Sequence, residues 1–325
     1  MKFQQSIIFF GTPEFAVASL DALVNNHFNI KAVVTTPDKP TGRGKKITAS
    51  PLKIYALEHN LNILQPENLS DEEFLQSLRA LNADLFIVVA FRKLPTIVWQ
   101  MPPMGTFNLH ASLLPDYRGA APINWAIMNG EKETGVTTFF LNEKIDEGKI
   151  IFSEKITINE EESFGELYDR MKVIGSQLLI KTVETIFLNK VKTIDQKQII
   201  AKQNQLNKAP KILKPDCKIN WESKSIDIVN KIRGLSPIPA ANTILISENA
   251  EYYLKIFKAT AEILQHNTNV GKVFTDNKTF LKISSLDGYV YLTEIQVAGK
   301  NKMTIVEFLR GYSINNDCKA IYTGS

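Results

Sequence analysis

The apolar run from Leu85 to Ala90 is the strongest constraint on how this chain folds. A strand without polar alternation is buried on both faces, as happens inside a parallel sheet covered by helices. Ser6 to Phe10 reads as another buried strand, and Ile30 to Thr35 as a third. Helix signals stand between them. Thr12 is placed to cap a helix with Pro13 in its first position and Glu14 facing the dipole. Ser70 to Glu73 forms a capping box for a helix running to about Asn82. Strands and helices alternating at these lengths predict an α/β fold with a doubly wound, mostly parallel, Rossmann-like sheet. The dinucleotide fingerprint is missing, because Gly11 stands alone where three glycines would bring a pyrophosphate against the backbone. A nicotinamide cofactor is therefore disfavoured.

Ligands of such sheets bind where strands open into loops, and polar chemistry is concentrated at one such place here. Phe107 to Pro122 joins a short strand carrying Asn108 and His110 to a turn-forming run that ends at a helix start, Pro122. Residues two apart share a strand face, so Asn108 and His110 project together while Phe107 and Leu109 face the other side. An amide beside an imidazole suits a carbonyl whose oxygen becomes negative: Asn108 donates a hydrogen bond and His110 donates or accepts a proton. A lone strand histidine is commonly structural; its pairing with Asn108 and the turn at Ser112 to Pro115 favour the catalytic reading. No serine or cysteine occupies a nucleophile elbow, so covalent acyl-enzyme chemistry has no motif here. A later strand, Gly135 to Phe140, leads into Asn142 to Gly148. Ordinary turn chemistry explains the Asp146-Glu147-Gly148 run, and a carboxylate there can also orient His110. The residues alone do not choose among Glu143, Asp146 and Glu147.

Charge gives a weaker signal. The net charge of +4 implies a polyanionic partner only if the cations cluster. They do so between Thr36 and Ser50, where Lys39, Arg43, Lys45 and Lys46 share a loop with Gly42 and Gly44. That loop is either a solvated surface segment or a phosphate-seeking arm, and it lacks the Walker spacing. Ser163 to Glu166 is a capping box opening a long helix to about Leu188. The following polar, lysine-bearing segment suits an extended linker. Beyond it, a short helix from Ser225 to about Arg233 precedes recurring short strands, which predict a small, OB-like Greek-key β-barrel. The expected organisation is a catalytic domain over 1–189, a linker over 190–215 and a barrel over 216–325. With two cysteines there is no disulfide framework or metal-ligand cluster. No apolar run reaches about 18 residues and the start has no signal-peptide core, so a reducing, cytoplasmic setting without a membrane partner is expected.

Several stretches together carry a resemblance. Asn108-Leu-His110, Ser112-Leu-Leu-Pro115, Tyr117-Arg-Gly119 and Pro122 resemble the folate-dependent formyltransferases. Phe10 to Phe15, the loop Pro37 to Lys46, Asp146 with Gly148, Ile219-Asn-Trp221 and Arg233 to Pro237 extend the likeness to the methionyl-tRNA formyltransferase branch. The resemblance implies transfer of a formyl group from 10-formyltetrahydrofolate to initiator methionyl-tRNA, giving N-formylmethionyl-tRNA for translation initiation. Such a transfer requires no metal, and a monomer is expected. It implies Asn108, His110 and Asp146 as the catalytic set. It places Ser112, Leu113, Leu114 and Pro115 against the folate, and Gly42, Arg43, Lys45 and Lys46 against the tRNA. It gives the barrel the role of a tRNA-binding domain. One departure is Phe91-Arg92, where members commonly carry a Tyr-Gly pair, which alters the expected pteridine pocket. Rival readings are a formyltransferase for amino-sugar nucleotides, a formyltetrahydrofolate hydrolase and a non-catalytic RNA-binding protein.

Overall fold

The computed structural model describes residues 3–41, 46–201, 205–248, 250–315 and 317–321. It comprises two compact units. The first takes in Met1–Gly119, Thr134–Ile156 and Tyr168–Lys208; the second takes in Ala120–Glu133, Thr157–Leu167 and Ala209–Ser325.

The first unit is built on a seven-stranded sheet. Its strands are β1 (Ser6–Gly11), β2 (Asn29–Val34), β3 (Ile63–Leu64), β4 (Leu85–Val89), β5 (Thr106–His110), β6 (Glu133–Phe140) and β7 (Ile150–Thr157). They lie in the order β7-β6-β5-β4-β1-β2-β3. The pairs from β3 through to β5 are parallel, and β6 runs antiparallel to β5. Every residue of β1 and β4 is buried, as unbroken apolar strands require. A short hairpin, Lys39–Thr41 with Lys46–Thr48, leaves the sheet after β2.

Helices α1 (Glu14–Asn25), α2 (Pro51–Glu58) and α3 (Glu72–Leu81) connect the first strands; α4 (Pro122–Met128) belongs to the second unit; α5 (Phe164–Phe187) covers the sheet from Tyr168 onward. Two expected caps are displaced. Pro13, not Thr12, is the N-cap of α1 and makes no side-chain bond. The N–H of Phe15 is instead satisfied by the Tyr168 hydroxyl at 2.8 Å, a distant partner that local sequence does not reveal. In α3 the cap is Asp71 rather than Ser70, accepting from the Phe74 N–H. The Ser163–Glu166 box forms as expected: the Ser163 N–H donates to Glu166 at 2.8 Å and the Glu166 N–H donates to the Ser163 hydroxyl at 3.4 Å. The segment expected to be an extended linker contains a helix, α6 (Gln196–Ile200), and a backbone bridge between Ile150 and Ile194.

The second unit holds the barrel. Its strands are β8 (Ala241–Ser247), β9 (Ala250–Ile263), β10 (Val273–Thr275), β11 (Leu281–Ser284), β12 (Gly288–Val297), β13 (Lys302–Thr304) and β14 (Lys319–Ile321). Their order is β10-β11-β12-β9-β8-β14, with β13 on β12. All of these pairings are antiparallel. Backbone bonds from Val273 to Cys318 at 3.2 Å and from Ala320 to Gly271 at 2.7 Å bring β10 to β14, so the barrel is nearly closed. Helix α7 (Ser225–Leu235) contributes Ile228, Ile232 and Leu235 to its core, and α8 (Ile305–Gly311) contributes Ile305, Phe308 and Leu309. Strands β13 and β14 and helix α8 are additions to the elements expected from sequence.

Candidate active site

Strand β5 has one face against α5. The helix comes so close at Gly175 that a side-chain carbon there would lie 3.1 Å from Leu109. Alternation then turns Asn108 and His110 to the opposite face, where their cross-strand partners are Phe139 and Thr137. His110 is buried, and its Nε2 lies 2.9 Å from the carbonyl oxygen of Tyr117. A carbonyl only accepts, so Nε2 carries the hydrogen and Nδ1 is the ring position left for proton exchange. Nδ1 faces Asp146 Oδ2 at 3.9 Å. The side-chain amide of Asn108 is half-buried and makes no hydrogen bond to a described residue. An unengaged amide and an imidazole on one strand face can serve an oxygen that gains negative charge.

The turns around these residues are tightly held. Asp146 sits at φ 55° and Tyr117 at φ 58°, both in the left-handed region. The Asp146 carboxylate accepts from the Gly119 N–H at 2.9 Å. Gly148 passes so close to β6 that a side-chain carbon would lie 1.6 Å from the Phe140 carbonyl oxygen, which explains the glycine. Thr137 is fully buried; its hydroxyl donates to the Ser112 carbonyl at 2.7 Å and accepts from the Leu114 N–H at 3.2 Å. Gln196 of α6 donates to the carbonyls of Asp146 at 2.9 Å and Gly148 at 2.8 Å. It accepts from Arg118, which also pairs with Glu147 at 3.2 Å. Thr137 and Gln196 stand in no motif of the sequence, and Arg118 stands in the Tyr117-Arg-Gly119 motif without an assigned role. Their partners lie 16 to 78 positions away along the chain, where no local pattern reports them.

The matching family models are Formyl transferase over residues 5–183 and Formyl transferase, C-terminal domain, over residues 211–313. A methionyl-tRNA formyltransferase of Bacteroides thetaiotaomicron is 48% identical over 314 residues, 96% of this chain and 97% of its own length. The chain belongs to the methionyl-tRNA formyltransferase family. A methionyl-tRNA formyltransferase of Flavobacterium johnsoniae is likewise 48% identical, across 96% of this chain and 98% of its own length. Among solved structures, a sugar 3N-formyl transferase crystallised with dTDP and 5-N-formyl-THF superposes with a TM-score of 0.63 at 24% identity, covering 91% of this chain and 99% of its own. At that identity the likeness speaks for the fold. Methionyl-tRNA formyltransferases use 10-formyltetrahydrofolate as donor and formylate the methionine of initiator methionyl-tRNA.

The other residues that the formyltransferase resemblance singles out fall in different settings. Ser112, Leu114 and Pro115 are buried: the Ser112 hydroxyl donates to the Asp116 carbonyl at 2.6 Å, and Leu114 packs with Phe139 and Ile150. Leu113 is half-buried, lying over Gly135. The Leu114–Pro115 peptide bond is cis. Gly42, Arg43 and Lys45 lie outside the described residues; of Lys46 only its place in the hairpin strand is described. Phe91 packs its ring 5.9 Å from that of Phe10. Arg92 turns to the loop after β3 and donates to the carbonyls of Pro66 and Glu67. Its partial burial lowers its pKa below the usual guanidinium value. A cavity of about 440 Å³ beside that loop is lined by Gln65, Pro66, Glu67, Asp71 and Phe74 among others, and by none of Asn108, His110 or Asp146. Among the described residues no group of three or more His, Cys, Asp or Glu is placed to hold a metal ion. No helix among them is long and apolar enough to cross a membrane.

Proposed function

We propose that this chain formylates the α-amino group of methionine on initiator methionyl-tRNA, with Asn108, His110 and Asp146 as its catalytic residues. Residues 1–189 carry the transfer chemistry, and residues 216–325 contact the tRNA. The observation that carries the reading is the Asn108 amide, unengaged by any described residue and on the same strand face as His110. The amide fits a formyl carbonyl, which needs a donor where its oxygen gains charge, and the imidazole beside it can exchange a proton. The donor, 10-formyltetrahydrofolate, supplies the one-carbon unit when bound.

Asn108 donates a hydrogen bond to the formyl oxygen as the methionine nitrogen attacks; the bond from the formyl carbon to the folate nitrogen then breaks, and that nitrogen takes up the proton the amine releases. His110, anchored through Nε2 to Tyr117, keeps Nδ1 free to hold or move a proton. Asp146 faces Nδ1 and supports proton removal from the attacking nitrogen. Ser112 to Pro115 form a wall for the folate, Leu113 offering the exposed part of the side-chain surface. Gly42, Arg43, Lys45 and Lys46 contact the tRNA backbone, with Arg43 able to grip a phosphate through two parallel bonds. The chain acts as a monomer.

The test is substitution at the transfer site. Asn108→Ala, which loses an oxyanion donor worth on the order of 3 kcal/mol, and His110→Ala, which loses the group that exchanges a proton, each lower kcat by roughly two orders of magnitude or more, while methionyl-tRNA affinity stays near that of the native protein. Near-native turnover in either variant would refute its assigned role.

A further inference from the structure

Gln196 is 2% exposed, and every polar atom of its side chain is engaged. Nε2 donates to the carbonyls of Asp146 and Gly148 at 2.9 and 2.8 Å, while Oε1 accepts from Arg118 Nε at 3.1 Å and Nη2 at 2.5 Å. This fixes the amide orientation: flipped, it would set its oxygen against two carbonyls and its hydrogens against a guanidinium.

The two sides of this clamp are the two turns that hold the catalytic pair. Nε2 holds the turn carrying Asp146. Arg118 lies between Tyr117, whose carbonyl anchors His110, and Gly119, whose N–H holds the Asp146 carboxylate. The 3.9 Å between His110 Nδ1 and Asp146 Oδ2 is too long for a direct hydrogen bond, so the turns set that spacing. Asp146 is moreover a non-glycine residue at φ 55°, a conformation that persists when its surroundings over-determine it. Gln196 in turn is fixed in depth by the paired backbone bonds between Ile150 and Ile194, 2.9 and 2.8 Å, and by the Asp195 cap of α6.

We propose that Gln196 is a positioning residue for formyl transfer, locking the Asp146 turn to the Tyr117–Gly119 turn and thereby setting Asp146 against His110. This rests on the assignment of Asn108, His110 and Asp146 as the transfer site. Gln196→Glu separates the two halves of the clamp, because a carboxylate still accepts from Arg118 but repels the two carbonyls. Gln196→Met keeps the length and removes both halves.

Steady-state kinetics on the full chain, below the melting temperature of each variant, should show kcat reduced roughly 10- to 100-fold in both, the scale of a small misplacement at a reacting centre. The KM values for methionyl-tRNA and for 10-formyltetrahydrofolate should stay within about two-fold of native. Asp146→Asn is measured alongside. If it is inactive while both Gln196 variants keep kcat within about two-fold of native, or lose activity through KM alone, the positioning role is overturned and the transfer site stands. If Asp146→Asn keeps native kcat, the transfer-site assignment fails and takes the positioning role with it.

Discussion

A methyl group at Gly148 has nowhere to go, since its carbon would fall 1.6 Å from the Phe140 carbonyl oxygen. Gly148→Ala therefore has to move the Asp146 turn. It should lower kcat by about two orders of magnitude and unfolding stability by about 1–3 kcal/mol, measured by steady-state kinetics and urea denaturation. Thr137→Val removes a buried hydroxyl that serves both the Ser112 carbonyl and the Leu114 N–H. Leaving the N–H unpaired should cost about 1–3 kcal/mol in the same denaturation experiment. At this scale the sharing of a face by Asn108 and His110 was legible, because strand alternation is a two-residue property. The rotation of the His110 ring was not: it depends on a carbonyl presented by Tyr117 at φ 58°, which no residue-type pattern announces.

Elements were legible where their signals are local. The α5 capping box and the unbroken apolar β4 were both readable, since each is specified within a few adjacent residues. Signals failed where a distant group satisfied the local need, as Tyr168 does for the start of α1 and Gln196 does for the Asp146 turn. Helix α7 starts at Ser225 as expected, but the group that caps it is another such distant partner. Its N-cap position, Lys224, offers no side-chain bond, and Asp287 from the turn before β12 instead accepts from the Ser225 N–H and hydroxyl, each at 2.8 Å. Those bonds, the backbone one first, hold the Asp287 carboxyl below its usual pKa. Asp287→Ala should lower stability by about 1 kcal/mol near neutral pH, as loss of a cap does. A carboxylate with a depressed folded-state pKa stabilises above its unfolded value, about 3.9, and loses that contribution as pH falls through the folded value. The native-minus-variant difference in denaturation midpoint should accordingly shrink on acidification; a difference independent of pH would contradict the carboxylate's role.

For the whole molecule, alternating strands and helices followed by short strands made a parallel sheet and a small barrel readable from sequence. The grouping of Ala120–Glu133 and Thr157–Leu167 with the barrel-bearing unit was not readable, because it reflects packing between distant parts of the chain rather than any shift in composition. The cations of the Thr36 to Ser50 loop belong to this scale too, since a tRNA is larger than any one site. Methionyl-tRNA affinity should fall linearly with salt on a double-logarithmic plot, and neutralising Arg43, Lys45 and Lys46 should flatten that slope by roughly 0.7–0.9 for each phosphate left without its cation. The identity of the acceptor sets this chain apart from a sugar formyltransferase. Its most direct test offers the full chain and 10-formyltetrahydrofolate, in parallel, to methionyl-tRNA and to an amino-sugar nucleotide, and follows the formylated product of each. The expected products are N-formylmethionyl-tRNA and no formylated sugar; formylation of the sugar alone would contradict methionyl-tRNA as the acceptor.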